Sequence, residues 1–140
     1  MTAYKNIFLD TAPVTYYLEE NAQFFDAVTG FMNRYAEAHF HTSVITLMEY
    51  SVMPYRNSNQ KQVDDLYAFL NDAEVNIATI NQTIADTAAK IRAKYIAFKG
   101  LDSIQLATAK ELGCDAFLTN DKQLKQYTEL SVVLATDLTL

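Results

Sequence analysis

Short apolar runs ending in polar turns alternate along the chain with segments of helical periodicity. That alternation predicts an α/β fold, a three-layer sandwich in which a central parallel sheet is covered by helices on both faces. Two further observations agree. Half of the 140 residues are hydrophobic and only three are glycine, as suits a compact, helix-rich globule. No Pro-, Gly- or Ser-rich linker and no internal repeat divides residues 1–140, so a single domain is expected.

The elements follow in order. YKNIFL, residues 4–9, reads as the first strand. A short helix is expected from Pro13, a residue suited to a first helical turn. A longer helix carries Phe25, Val28, Met32 and Tyr35 at helical spacing. HFHTSVI, residues 39–45, is the second strand, and the helix after it contains LMEYSV. Val63, Leu66, Tyr67 and Leu70 mark the apolar face of the next helix, and EVNIATI, residues 74–80, a short strand. Asn81 opens a long helix with Ile84, Ala88, Ile91 and Tyr95 on one face. SIQLATAKELG is so rich in small and apolar residues that its helix should be largely buried. DAFLTN reads as a strand ending in a polar turn, and LSVVLA as the last strand.

Bulk composition excludes several classes. The single Cys114 leaves no internal disulfide and no cysteine-based zinc site, and a lone cysteine is most simply a small buried hydrophobe. No run approaches a membrane span, and MTAYKNIFLD lacks the basic start and longer apolar run of a signal peptide, so a cytoplasmic location is expected. The formal net charge of −6 argues against a general electrostatic hold on nucleic acid, leaving local charge to decide.

In parallel sheets ligands bind beyond the carboxyl ends of the strands. IFLDTAP delivers Asp10 to such an end, and FLTND does the same for Asp121. Glu49 lies on the helix after the second strand, between Met48 and Val52 on its near sides, and Asp102 opens the buried helix. Each has an ordinary reading. Asp10 and Asp121 suit turns and caps, Asp102 with Gln105 resembles a capping box, and Glu49 suits a solvated helix face. Together they point elsewhere. Clustered carboxylates repel unless one takes a proton or a cation intervenes. Hard ions such as Mg2+ take oxygen ligands and share substrate phosphates, which suits phosphodiester hydrolysis. No GK[ST] loop, HExxH or G-x-S-x-G motif offers a different chemistry.

FLDTAPVTYYLEE, TSVITLMEYSV, GLDSIQLATAKELGCDAFLTND and the closing VVL resemble the PIN-domain nucleases, and among them the VapC-type toxins of toxin–antitoxin pairs. The most specific part is LDSIQLATAKELGCDAFLTND, in which acid, helix, strand and second acid recur together. The resemblance implies an α/β/α sandwich and an acidic site at Asp10, Glu49, Asp102 and Asp121, with Thr11 and Thr119 in support. It implies cleavage of RNA with Mg2+ or Mn2+, a cognate antitoxin as partner and a homodimer. Attack by water would leave a 5′-phosphate and a 3′-hydroxyl. Two positions depart from the family pattern: Ala12 stands where many members have Asn, and Gln123 where some place a further acid.

Between Thr87 and Leu101 there is no acidic residue, while Lys90, Arg92, Lys94 and Lys99 occur with Tyr95 and Phe98 among them. This segment could hold phosphates and stack an unpaired base on the approach to Asp102, or it could be a solvated helix face with Tyr95 in the core. His39 and His41 read as structural or exposed, and Arg34 and Arg56 have no evident partner. Tyr16-Tyr17 and Phe24-Phe25 suit a partner groove or, more simply, a core. Two rival functions stand beside the nuclease. A phosphatase of the haloacid-dehalogenase type needs a second aspartate where Ala12 stands. A catalytically silent RNA- or partner-binding module would not require the acids, all of which are present.

Overall fold

A computed structural model of the chain describes residues 3–138; Met1 and Thr2, with which the leader reading begins, lie outside the described residues. The order is β1 (Asn6–Leu9), α1 (Thr11–Leu18), α2 (Phe25–Arg34), β2 (His39–Ser43), α3 (Val44–Arg56), α4 (Gln60–Asp72), β3 (Asn76–Ala78), α5 (Gln82–Lys94), α6 (Gly100–Glu111), β4 (Ala116–Thr119), β5 (Ser131–Leu134) and α7 (Ala135–Leu138). The five strands form one sheet in the order β3-β2-β1-β4-β5, and every pairing is parallel. This is the expected α/β sandwich. Its direction of winding reverses between β1 and β4, the place where such sheets open a crevice for ligands.

Alternation along the strands feeds two cores. Ile7 and Leu9 of β1, with Ala116 and Leu118 of β4, face Val14, Phe31, Tyr50, Leu66 and Leu70 from α1–α4. Phe8 and Phe117 point the other way, stacked 5.2 Å apart, and meet Ile84, Ala88, Ile91 and Leu106 of α5 and α6. Six residues of α6 are buried, as its composition predicted. Gly113, at φ +73°, closes α6 with a Schellman turn: Cys114 N donates to Ala109 O at 2.9 Å and Gly113 N to Lys110 O at 3.0 Å. The chain then enters β4 at once. The Asp115 carboxylate accepts from Lys5 N and Asn6 N, so the start of β4 fixes the start of β1 and sets where the two strands end.

Several boundaries differ from expectation. α1 starts at Thr11 rather than Pro13, because Asp10 caps it. The second strand ends at Ser43, whose hydroxyl accepts from Ile45 N and begins α3; the β-branched Val44 and Ile45 read as strand but belong to the helix. The strand expected over 74–80 keeps only Asn76–Ala78. Tyr67, placed on the inner face by periodicity, is 49% exposed, while Phe69 is half-buried. Tyr95 leaves α5 as its C-cap and stacks on Phe98 at 4.8 Å, against Tyr127.

Candidate active site

Asp10 is the one buried carboxylate of the site. Its main chain is still held to the sheet, with Asp10 N donating to Leu118 O at 2.9 Å, while its side chain begins α1 by accepting from Thr11 N at 2.9 Å. Oδ1 also accepts from Gln105 Nε2 at 3.3 Å, and Oδ2 accepts from the Thr119 hydroxyl at 2.8 Å. Burial dominates the electrostatics and raises the Asp10 pKa to about 6. The Thr119 and Thr11 hydrogen bonds pull it down, and the charges of Asp102 and Glu49 push it up.

Those two charges arrive from different elements. Glu49 is exposed on α3, and its Oε1 accepts from the Thr11 hydroxyl at 2.6 Å. Asp102 is half-buried in the first turn of α6, where the helix N-terminus favours negative charge. Its pKa is also raised, chiefly by burial and then by Asp121 and Glu49, with Lys99 opposing. Asp121 follows β4 and caps the 3-10 turn Lys122–Gln126 by accepting from Gln123 N at 3.0 Å. Thr119 joins the two sides: its hydroxyl donates to Asp10 and accepts from Asp121 N at 3.2 Å. Asp10, Glu49, Asp102, Asp121, Thr11 and Thr119 all line one cleft of about 820 Å3 at the carboxyl edge of the sheet.

The capping-box reading of Asp102 and Gln105 fails. α6 starts at Gly100 behind Lys99, with no side-chain cap, and the Gln105 amide points to the sheet instead. Gln105 Oε1 accepts from the Ser43 hydroxyl, and Nε2 donates to Thr46 Oγ1 at 2.9 Å as well as to Asp10. Sequence reasoning named this residue only as the partner in a capping box and missed its bond to Asp10; the available signal was a long polar side chain inside an otherwise small and apolar helix. It also missed Asn120, Tyr16 and Lys122 in the cleft wall. Asn120 Nδ2 donates to the Tyr16 hydroxyl at 3.0 Å, and its Oδ1 accepts from Thr136 N at 3.1 Å, tying α1 and α7 to the end of β4.

The basic segment lies apart from this cleft. Lys90, Arg92, Lys94 and Lys99 are exposed and none lines it; Lys122 is the only basic residue among its lining side chains. Lys90 pairs with Asp86 at 3.1 Å, Lys94 lies 5.5 Å over the Tyr95 ring, and Lys99 reaches the site through its effect on Asp102. Phe98 is buried, so the Tyr95–Phe98 stack serves the core and not an unpaired base. His41 bonds Asn6 and Asn76 across the strands, and Cys114 is buried with its thiol pushed up to about 12 by loss of solvent. Tyr16 stacks on Phe24, and Tyr17 on Phe25 and Phe69, within the fold. Arg34 lies over the Tyr35 ring.

The donor set fits a hard divalent cation. Carboxylate oxygens are its preferred ligands, and Mg2+ binds through one or two of them while keeping several waters. Among the described residues no three His, Cys, Asp or Glu side chains converge closely enough to hold an ion by themselves. Burial is the chief cause of the raised pKa values of Asp10 and Asp102, and the like charges that add to it are ones such a cation would offset.

The fold has counterparts. VapBC2 from Rickettsia felis, solved bound to a DNA fragment from its promoter, superimposes with a TM-score of 0.77 at 15% identity, over 92% of this chain and 98% of that one. A toxin–antitoxin complex from Klebsiella pneumoniae gives 0.69 at 22% identity, over 92% and 97%. Mycobacterium tuberculosis VapC20, a sarcin–ricin loop cleaving toxin, gives 0.64 at 14% identity, over 79% and 86%. At these identities the likeness is one of fold. No curated protein sequence matches the chain. The family model for the PIN domain matches residues 7–130, which span β1 to the threshold of β5 and include all four acids. The chain belongs to the PIN domain family.

Proposed function

We propose that this protein is an endoribonuclease that depends on Mg2+ or Mn2+ and acts as the toxin of a toxin–antitoxin pair. The observation that carries the reading is the convergence of Asp10, Glu49, Asp102 and Asp121, from four separate segments, on one cleft at the sheet's winding reversal. Its likeness in fold to VapC20, described as cleaving the sarcin–ricin loop, favours RNA as substrate. Likeness to two toxin–antitoxin assemblies favours a protein antitoxin as partner. A homodimer acting in the cytoplasm completes the proposal, and no helix among the described residues is long and apolar enough to cross a membrane.

The four carboxylates, Asp10, Glu49, Asp102 and Asp121, offer the oxygens among which the ion would find one or two ligands, with waters filling the rest of its shell. When bound, it supplies positive charge that acidifies a water and offsets the charge developing on the phosphate and leaving oxygen. The chain's own groups prepare that environment. Three donors fix Asp10 in one orientation, Thr11 fixes Glu49, and Thr119 couples Asp10 to the turn that carries Asp121. Lys122 offers a phosphate the cleft's own positive charge. The experiment is cleavage of total cellular RNA by purified protein with Mg2+ or Mn2+ against EDTA, beside Asp10→Asn and Asp102→Asn proteins purified identically. Metal-dependent fragments with 5′-phosphates, absent with either variant, are the expected result. Equal cleavage by the variants would refute the site.

A further inference from the structure

Gln105 is 1% exposed and stands where three segments meet. Its amide cannot be turned over. Ser43 Oγ accepts from Ile45 N and gives its one proton to Gln105 Oε1, which leaves Nε2 facing Thr46 Oγ1 at 2.9 Å and Asp10 Oδ1 at 3.3 Å. The reverse orientation would set an amide oxygen against a carboxylate oxygen. Behind it, the Thr42 hydroxyl donates to Leu9 O at 2.8 Å and lies 2.9 Å from Thr46 Oγ1, which accepts from Gln105 and lies 3.3 Å from the Thr11 hydroxyl. The chain of bonds runs from the ends of β1 and β2 into α6, one turn beyond Asp102.

The consequence falls on Asp10. Each carboxylate oxygen has two in-plane acceptor directions. Oδ1 accepts from two donors, Thr11 N and Gln105 Nε2, whereas Oδ2 accepts from one, the Thr119 hydroxyl. We propose that Gln105 is a positioning residue that occupies the second acceptor direction of Asp10 Oδ1, so that Asp10 meets a divalent cation through Oδ2 alone while α6 holds Asp102 in register with it. This inference rests on the nuclease reading of the same cleft and adds a determinant outside the acids.

Gln105→Met keeps the length of the side chain without its hydrogen bonds, and Gln105→Glu keeps the acceptor for Ser43 but removes the donor to Asp10. Mn2+ affinity by calorimetry, RNA-cleavage kinetics and circular dichroism would be measured on both and on wild type. Loss of an outer-shell partner typically costs about 10–100-fold in metal affinity or activity. A fall of that size in Mn2+ affinity and kcat, with KM for RNA unchanged and the fold intact, is expected for both variants. In wild-type protein, titration with diamagnetic Mg2+ should also shift the Gln105 side-chain amide signals in a 15N–1H spectrum, a readout independent of whether the variants fold. Wild-type Mn2+ affinity in either folded variant, or amide signals unmoved at saturating Mg2+, would overturn the role of Gln105 and leave the nuclease reading standing. Wild-type protein that binds no divalent ion would overturn that reading and this inference with it.

Discussion

Burial places the Asp10 carboxyl where its charge is disfavoured, and the donors around it offset that only in part. Its pKa in the folded protein, about 6, exceeds the ordinary 3.8, so the folded state holds the proton more tightly than the unfolded chain does. The fold is therefore unpenalised by this group below about pH 4, loses stability as pH rises between the two values, and carries the full penalty above about 6. A difference of this size corresponds to about 3 kcal/mol at neutral pH. Asp10→Asn removes the titrating group while keeping an acceptor for Thr11 N. Urea unfolding in EDTA should show wild type losing about 3 kcal/mol relative to Asp10→Asn between pH 4 and pH 7. Parallel pH profiles for the two proteins would contradict the burial of this charge. The shift of Asp102 has the same sign and adds to the pH dependence of both.

Helix starts decide where the acids stand, and they differ in what depends on them. Asn81 caps α5 through Ile84 N and holds nothing else, so Asn81→Ala should cost about 1 kcal/mol. Ser43 caps α3 and also donates to buried Gln105, whose oxygen would be left without a partner. Ser43→Ala should therefore cost about 1 kcal/mol for the cap and a further 1–3 kcal/mol for the stranded oxygen. Equal losses in denaturant unfolding would show that the Ser43–Gln105 bond contributes nothing. The same two positions show what was legible in the sequence. Asn81 was readable because its whole role is local, and so were β1, β4, the helical periodicity of α5 and the small, apolar composition that buries α6. Ser43 and Gln105 were misread because their partners lie 62 residues apart, beyond any window of local pattern. The apolar residues Met48, Val52 and Tyr67 misled for a related reason: spacing shows which residues share a face, not whether another layer covers it.

At the scale of the molecule, a net charge of −6 must still admit a polyanion. Asp10 and Asp121 were legible as candidates because they follow strands, Asp102 because it opens a helix, and Glu49 because it lies on the helix after the second strand. Their shared cleft depends on the strand order, which pattern alone does not give. The positive charge was placed less well. The cluster of Lys90, Arg92 and Lys94 is conspicuous in sequence, yet α5 packs beside α6 with these side chains away from the cleft, whereas the isolated Lys122 lines it. Lys99 stands between the two, close enough to oppose part of the rise in the Asp102 pKa. Binding of a short single-stranded RNA to the Asp10→Asn protein, followed by fluorescence anisotropy against salt, separates these positions. Each phosphate contact contributes about 0.7 to the slope of log affinity against log salt for a single strand. Lys122→Ala and Lys99→Ala should each flatten that slope by about 0.7, and Lys90→Ala, already paired with Asp86, should leave it unchanged. A loss at Lys90 as large as that at Lys122 would route the RNA over α5 instead, and move the substrate path from the acidic cleft to the helix that flanks it.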